Sequence, residues 1–219
     1  MSTIRHIRGP EDFAAAFDVS RETLERIQLY DRLLHQWQKA VNLVAPATLA
    51  DAWHRHFADS AQVVALAGAS PSPWLDVGSG GGFPGLVCAI LLAEKHPSAR
   101  IILVESHSRK AAFLADVARQ TGISAMVDIV PKRIESLPTQ ANLPAPAVIS
   151  ARALAALDKL LSLTAPLFTP TTMGLFLKGQ GAEAEVTQAR KVWNFEADLV
   201  PSRTEAQGRI VIVRHLTRK

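Results

Sequence analysis

Twelve consecutive residues constrain this chain more than any others: Trp74-Leu75-Asp76-Val77-Gly78-Ser79-Gly80-Gly81-Gly82-Phe83-Pro84-Gly85. A short apolar run carries an acid, a glycine-rich loop follows, and Pro84 opens a second apolar stretch. That order reads strand, loop, helix. Glycines let the backbone take positive φ and approach a ligand closely. A helix start presents unpaired N–H groups toward a bound molecule. Proline suits the first helical turn, where its missing N–H costs nothing. An ordinary strand-to-helix turn is the plainer alternative, and one glycine would fit it; this density of glycines does not.

Two ligands compete for such a loop. Gly80-Gly81-Gly82-Phe83-Pro84-Gly85 fits the dinucleotide fingerprint G-x-G-x-x-G, and Glu105 lies 20 residues past Gly85, as that fingerprint asks. Asp76-x-Gly78-x-Gly80 fits instead the loop of an S-adenosylmethionine (SAM) methyltransferase. The second reading is favoured. In the dinucleotide fold the glycines begin right at the strand end, so a fingerprint opening at Gly80 starts too late after Val77. The Asp76 carboxylate at the strand tip would repel a pyrophosphate, whereas it would draw the cationic amino-acid portion of SAM, directly or through water. Glu105, ending the second strand, would accept hydrogen bonds from ribose hydroxyls of either cofactor.

The rest of the chain supplies the frame. Residues 20–39 read as an amphipathic helix with Ser20 as N-cap, because Leu24, Ile27, Tyr30, Leu34 and Trp37 step by three or four. A second helix is expected over Thr48–Leu66, before Ser70-Pro71-Ser72-Pro73 breaks the chain. Residues 1–73 are read as a helical extension packed on a core formed by residues 74–219, being too short for a stable core of their own. Strands then alternate with helices: strands at Trp74–Val77, Ile101–Glu105, Met126–Val130, Ala147–Ser150 and Thr172–Lys178. Helices are expected from Pro84, through Lys110–Val117 and closed by Gly122, through Leu154–Leu161, and near Ala182–Val192. Two late strands, Phe195–Val200 and Arg209–Arg214, suggest a hairpin. Such alternation predicts an α/β fold with a mostly parallel sheet and helices on both faces. Right-handed crossovers gather the strand-to-helix loops at one sheet edge, where ligands bind.

Further candidates fall at that edge. Arg133-Ile134-Glu135 follows the third strand and could flank an adenine ring. Arg152 lies just past the fourth strand, and an arginine there is costly to bury unless it pairs. Lys178-Gly179 ends the fifth strand in the same way. Arg109-Lys110 opens a helix, an unfavourable place for cations, which hints at anion contact. The chain has 24 Lys+Arg against 20 Asp+Glu, a net charge of +4. Residues before Trp74 carry 7 basic and 8 acidic side chains, so the surplus belongs to the remainder. That surplus permits a polyanionic partner without requiring one.

Several classes are disfavoured. No apolar run is long enough to span a bilayer, and the N-terminus lacks a secretory apolar region. A single cysteine excludes an internal disulfide framework and fits a reducing cytoplasm. Cys88 falls within an apolar helix and reads as packing. His54-x-His56 diverges on a helix and reads as surface or packing histidines, so no metal is expected. No Ser/His/Asp constellation stands out, and no Asn-Pro-Pro-aromatic motif for exocyclic base amines is present.

The ordered motifs resemble one family, RsmG (also called GidB), the bacterial 16S rRNA guanine-N7 methyltransferases. Trp37-Gln38-Lys39-Ala40-Val41-Asn42-Leu43 is similar to the family's W-N-K-x-x-N-L, Arg55-His56-Phe57-Ala58-Asp59-Ser60 to R-H-x-x-D-S, and Asp76–Gly85 to D-x-G-S-G-x-G-F-P-G. Phe113-Leu114, Arg133-x-Glu135, Ala151-Arg152-Ala153 and Lys178-Gly179 follow in the expected order. Departures are Gln38 for asparagine, Glu105 where aspartate is common, Arg109-Lys110 for Lys-Arg, and Ala147 where an acid is usual. The resemblance implies a Rossmann-like, seven-stranded SAM-dependent methyltransferase sheet whose last strand is antiparallel. It implies 7-methylguanosine at position 527 of 16S rRNA, in the 530 loop, as product. Gly78, Phe83, Ile134, Glu135 and Arg152 would contact SAM, with Asp76, Gly80 and Glu105 completing the cofactor site. Guanine N7 needs no deprotonation, so orientation carries the catalysis, with Arg152 and Lys178 at its centre. Arg109, Lys110, Arg133 and Lys178 would grip phosphates of the rRNA or small subunit. A cytoplasmic monomer is expected. An NAD-dependent oxidoreductase and a non-catalytic ribosome assembly factor are the alternatives.

Overall fold

A computed structural model describes residues 5–69, 71–137 and 143–219. Residues 1–4, read above for a secretory signal, and Ser70, the first residue of the expected break, lie outside them. Seven strands form one sheet: β1 Trp74–Val77, β2 Ile101–Val104, β3 Val127–Val130, β4 Val148–Arg152, β5 Met173–Lys178, β6 Trp193–Pro201 and β7 Arg209–Arg218. Their order is β3-β2-β1-β4-β5-β7-β6. The first five run parallel. β7 is antiparallel to β5 and to β6, so the expected terminal hairpin is present.

The sheet is covered on both faces, and residue alternation divides it. Trp74, Ile101, Leu103, Leu175 and Leu177 belong to one apolar cluster, with the helices Gly85–Lys95 and Ser108–Gln120. Leu75, Val77, Ile102, Val104 and Phe176 belong to the other, with the helices Leu157–Thr164 and Ala182–Ala189. Coverage on both faces is why β1 and β2 are buried at every residue, β2 reading as an unbroken apolar run and β1 departing from one only at Asp76. β6, at the sheet edge, alternates instead.

The first cluster also takes in the N-terminal helices. In the helix Arg21–Gln38 the Ser20 hydroxyl accepts from the Thr23 N–H at 3.1 Å. Ile27, Tyr30 and Leu34 are buried, while Leu24 and Trp37 pack half-buried against the same cluster. Trp37 Nε1 donates to Asp116 Oδ2 at 3.1 Å, which ties this helix to Ser108–Gln120.

The expected helix over Thr48–Leu66 is not continuous. A turn at Pro46–Leu49 is followed by a π-helical stretch at Trp53–Ala58, one α turn at Asp59–Ala61 and a 3₁₀ turn at Val64–Leu66. Apolar spacing does not distinguish these windings, because each sets apolar side chains against the core, buried at Phe57, Ala58 and Ala61 and half-buried at Leu49, Val64 and Leu66. π turns recur at functional sites, and this one faces the carboxyl ends of the strands.

Candidate functional site

β1 sits between β2 and β4, so the chain runs outward through β2 and β3 and then returns to the other side of β1. The order reverses between β1 and β4, where open α/β sheets bind ligands. A crevice of about 750 Å³ opens there. Its floor is the glycine loop. Gly78, Gly80 and Gly82 have φ of 68°, 55° and 88°, which other residues adopt only at a cost. Glu105, only 8% exposed, holds this floor from the end of β2. Its Oε2 accepts from the Gly80 N–H at 2.9 Å and its Oε1 from the His107 N–H at 2.8 Å. Each oxygen keeps a second lone pair for a hydroxyl in the crevice. From below, the Tyr30 hydroxyl donates to the Gly81 carbonyl, and its ring stacks on Phe83 at 5.3 Å.

Asp76 lies under this floor rather than on it. It is fully buried, and Ser150 Oγ, itself bonded by Trp74 Nε1 at 2.8 Å, donates to its Oδ1 at 2.6 Å. The other oxygen lies by Gly85, where a Cβ would stand 2.7 Å from Oδ2. Burial pushes the carboxyl pKa up to about 6, against the lowering pull of its hydrogen bonds and of Arg152.

The far wall is built around Arg152, whose side chain is 17% exposed. Its Nη1 donates to the Arg55 carbonyl at 2.9 Å and pairs with Asp59 Oδ2 at 3.5 Å. Its Nη2 lies 2.9 Å from His56 Nδ1, and the guanidinium carbon is 5.1 Å from the Phe83 ring centre. Burial depresses the Arg152 pKa, opposed chiefly by Asp59. On the other side of Arg152 runs the segment 153–157. The Lys178 ammonium bonds the Ala155 carbonyl and pairs with Glu185 at 2.8 Å, while Glu185 accepts from the Leu157 N–H at 2.7 Å. Around the mouth, Lys110, Arg133, Lys159 and Arg209 supply positive charge.

The family model GidB, rRNA small subunit methyltransferase G, matches residues 23–215. The chain belongs to this family. A ribosomal RNA small subunit methyltransferase G from Parvibaculum lavamentivorans is 51% identical over 206 residues, 94% of this chain and 89% of that protein. Among solved structures, a putative O-methyltransferase from Klebsiella pneumoniae superposes with a TM-score of 0.58 at 15% identity, over 94% of this chain and 95% of that one. TrmK from M. capricolum, in complex with S-adenosyl-homocysteine, gives 0.54 at 8% identity, over 71% and 66%. Those structural likenesses speak for the fold alone, a Rossmann-like α/β sheet. By its family the GidB chain is a methyltransferase, and its motifs can be read on the fold.

Gly78, Gly80, Phe83, Glu105, Lys110, Arg133, Ile134, Glu135, Arg152 and Lys178 all border the crevice of this GidB chain. Four of the expected site residues are placed differently from the rest. Asp76 does not border it, because its carboxylate is spent inside the core on Ser150. Phe83 is only 4% exposed, with its ring stacked between Tyr30 and His56 and the Arg152 guanidinium over it. Arg109 is exposed but stands outside the crevice lining. The Lys178 side chain is 8% exposed and paired with Glu185 at 2.8 Å. Reading by residue type missed His56 and Asp59 as partners of Arg152. The R-H-x-x-D-S pattern was the signal, but its partner lies 96 residues on. Among the described residues no cluster of three or more histidine, cysteine or acidic side chains could hold a metal. No described helix is long and apolar enough to cross a membrane.

Proposed function

We propose that this methyltransferase uses SAM to methylate N7 of the guanosine at position 527 of 16S rRNA, in the 530 loop. The observation that carries the reading is one crevice with two unlike ends. One end offers the glycine floor and Glu105; the other offers a fixed, part-buried arginine beneath a basic mouth. These residues fit an adenosine-bearing methyl donor. Glu105 would take the ribose hydroxyls, Ile134 and Glu135 the adenine ring and its edge, and Gly78 and Gly80 the close backbone approach. The donor, when bound, supplies a methyl group already activated on a sulfonium.

The chain's own residues then have to orient and neutralise. Guanine N7 carries its lone pair on the major-groove edge and gives up no proton on attack. The histidine and acids of the crevice wall, His56, Asp59, Glu105, Glu135 and Glu205, therefore need supply no general base for this chemistry. Arg152 would steady the donor and the incoming base, and Lys110, Arg133, Lys159 and Arg209 would meet RNA phosphates. Holding two reactants in line is worth several kcal/mol, about 7–11 in ideal cases. The helices before Pro73 would act as part of the same catalytic unit, since Tyr30 supports the loop that receives the donor.

The test is incubation of the full chain with methyl-labelled SAM and small-subunit RNA, offered free and as assembled particles, followed by nucleoside digestion. Label in 7-methylguanosine from the 530 loop is the expected result. No transfer to either form, or label in another nucleoside, would overturn the reading.

A further inference from the structure

The π-helical stretch Trp53–Ala58 and the turn after it present three acceptors to one guanidinium: the Arg55 carbonyl, His56 Nδ1 and Asp59 Oδ2. An arginine has five donors and no acceptor. The 2.9 Å contact between Arg152 Nη2 and His56 Nδ1 therefore requires a lone pair on Nδ1. The ring proton then belongs on Nε2, which lies 2.8 Å from Thr48 Oγ1. Thr48 passes its own proton on to the Ala45 carbonyl at 2.8 Å. The Asp59 carboxylate is fixed independently, since its Oδ1 accepts from Thr204 Oγ1 at 2.8 Å and from Gln62 Nε2 at 2.9 Å. The His56 ring also stacks on Phe83 at 5.1 Å, the same ring that underlies Arg152.

We propose that His56, held as the neutral Nε2–H tautomer, is a positioning residue that orients Arg152 toward the reacting groups. A protonated imidazole would turn a second N–H against the guanidinium and break the contact. Burial, then the charges of Arg152 and Arg55, push the imidazole pKa down to about 3, which keeps the ring neutral at any working pH. The proposal rests on the reading that Arg152 steadies donor and base. It adds that the arginine works only in the orientation set by this acceptor.

Three variants and one spectrum test it on the full chain. His56→Leu should lower kcat about ten- to a hundred-fold with RNA Kd unchanged, the size expected for one hydrogen bond to a charged group. His56→Asn places an amide oxygen where Nδ1 stood and should recover kcat to within about fivefold of wild type. His56→Gln sends its amide toward Thr48 instead and should not. Equal losses in all three, or no loss in His56→Leu, would overturn the proposal. Where His56→Leu fails to fold, the Asn and Gln variants decide. Imidazole nitrogen NMR of the wild type, assigned by loss of the signal in His56→Asn, should show neutral Nε2–H from about pH 8 down to about pH 5. A protonated ring or the other tautomer would overturn it. Should the wild type transfer no methyl group to RNA, the functional reading fails, and the spectrum still decides the role of His56.

Discussion

At the scale of single residues, the acid under the glycine loop has a measurable cost. The Asp76 carboxyl keeps its proton up to about pH 6 in the folded chain, against 3.8 as its ordinary value. The fold therefore binds this proton more tightly than the unfolded chain does. Ionisation withdraws stability as pH rises from about 4 to about 6, and above that window the loss is complete. Asp76→Asn has no charge to bury and can keep the Ser150 bond. Scanning calorimetry should give it a flatter stability profile between about pH 4 and pH 6, and a Tm raised by a few degrees near pH 7. A profile parallel to that of wild type would contradict the buried charge. The sequence made Asp76 conspicuous, yet not its direction. Alternation along β1 sends Leu75 and Val77 to one face and Trp74 to the other with Asp76, but which face meets a ligand depends on the loop. Glu105 was legible because a strand end followed at once by a helix leaves its side chain beside the glycines. His56 was not, because nothing local announces a partner so far along the chain.

Among the elements, the short connection after β4 decides how well the crevice is held. Ala153 takes a positive φ of 52°, and Leu154 lies over Gly78, where a Cβ would come within 2.6 Å of Leu154 Cδ1. Lys178 and Glu185 anchor the far end of this connection. Lys178→Met should thus lower turnover about tenfold or more by loosening the connection. The salt dependence of RNA binding should stay as it is, since Nζ is already paired. Single-turnover rates and binding titrations from about 50 to about 200 mM salt separate the two effects; a flatter binding slope would return Lys178 to the phosphate contacts. The five parallel strands were legible to within two residues because most of their positions are apolar and buried, whereas β7 runs four residues past the expected Arg214 into an exposed end without an apolar run. The stretch from Thr48 to Leu66 was not legible, since a π turn and an α turn bury similar spacings and differ only in which carbonyl each N–H finds.

For the whole molecule, the distribution of charge matters more than its total. The mouth of the crevice gathers Lys110, Arg133, Lys159 and Arg209, and Arg133 is exposed. Arg133→Ala should weaken RNA binding and reduce the slope of log K against log salt by about 0.7–0.9. Titrations with small-subunit RNA measure this, and an unchanged slope would remove Arg133 from the phosphate path. The architecture also joins distant parts of the chain. His54 Nε2 lies 2.9 Å from the Thr204 carbonyl, and Asp59 Oδ1 accepts from the Thr204 hydroxyl. A polypeptide emerges amino end first, so Asp59 and Arg152 exist long before Thr204 can brace them. Newly made chains must therefore wait for their closing hairpin before the arginine is steadied. A catalyst proposed to act on ribosomal RNA stays unfinished until a ribosome has carried its synthesis past that threonine.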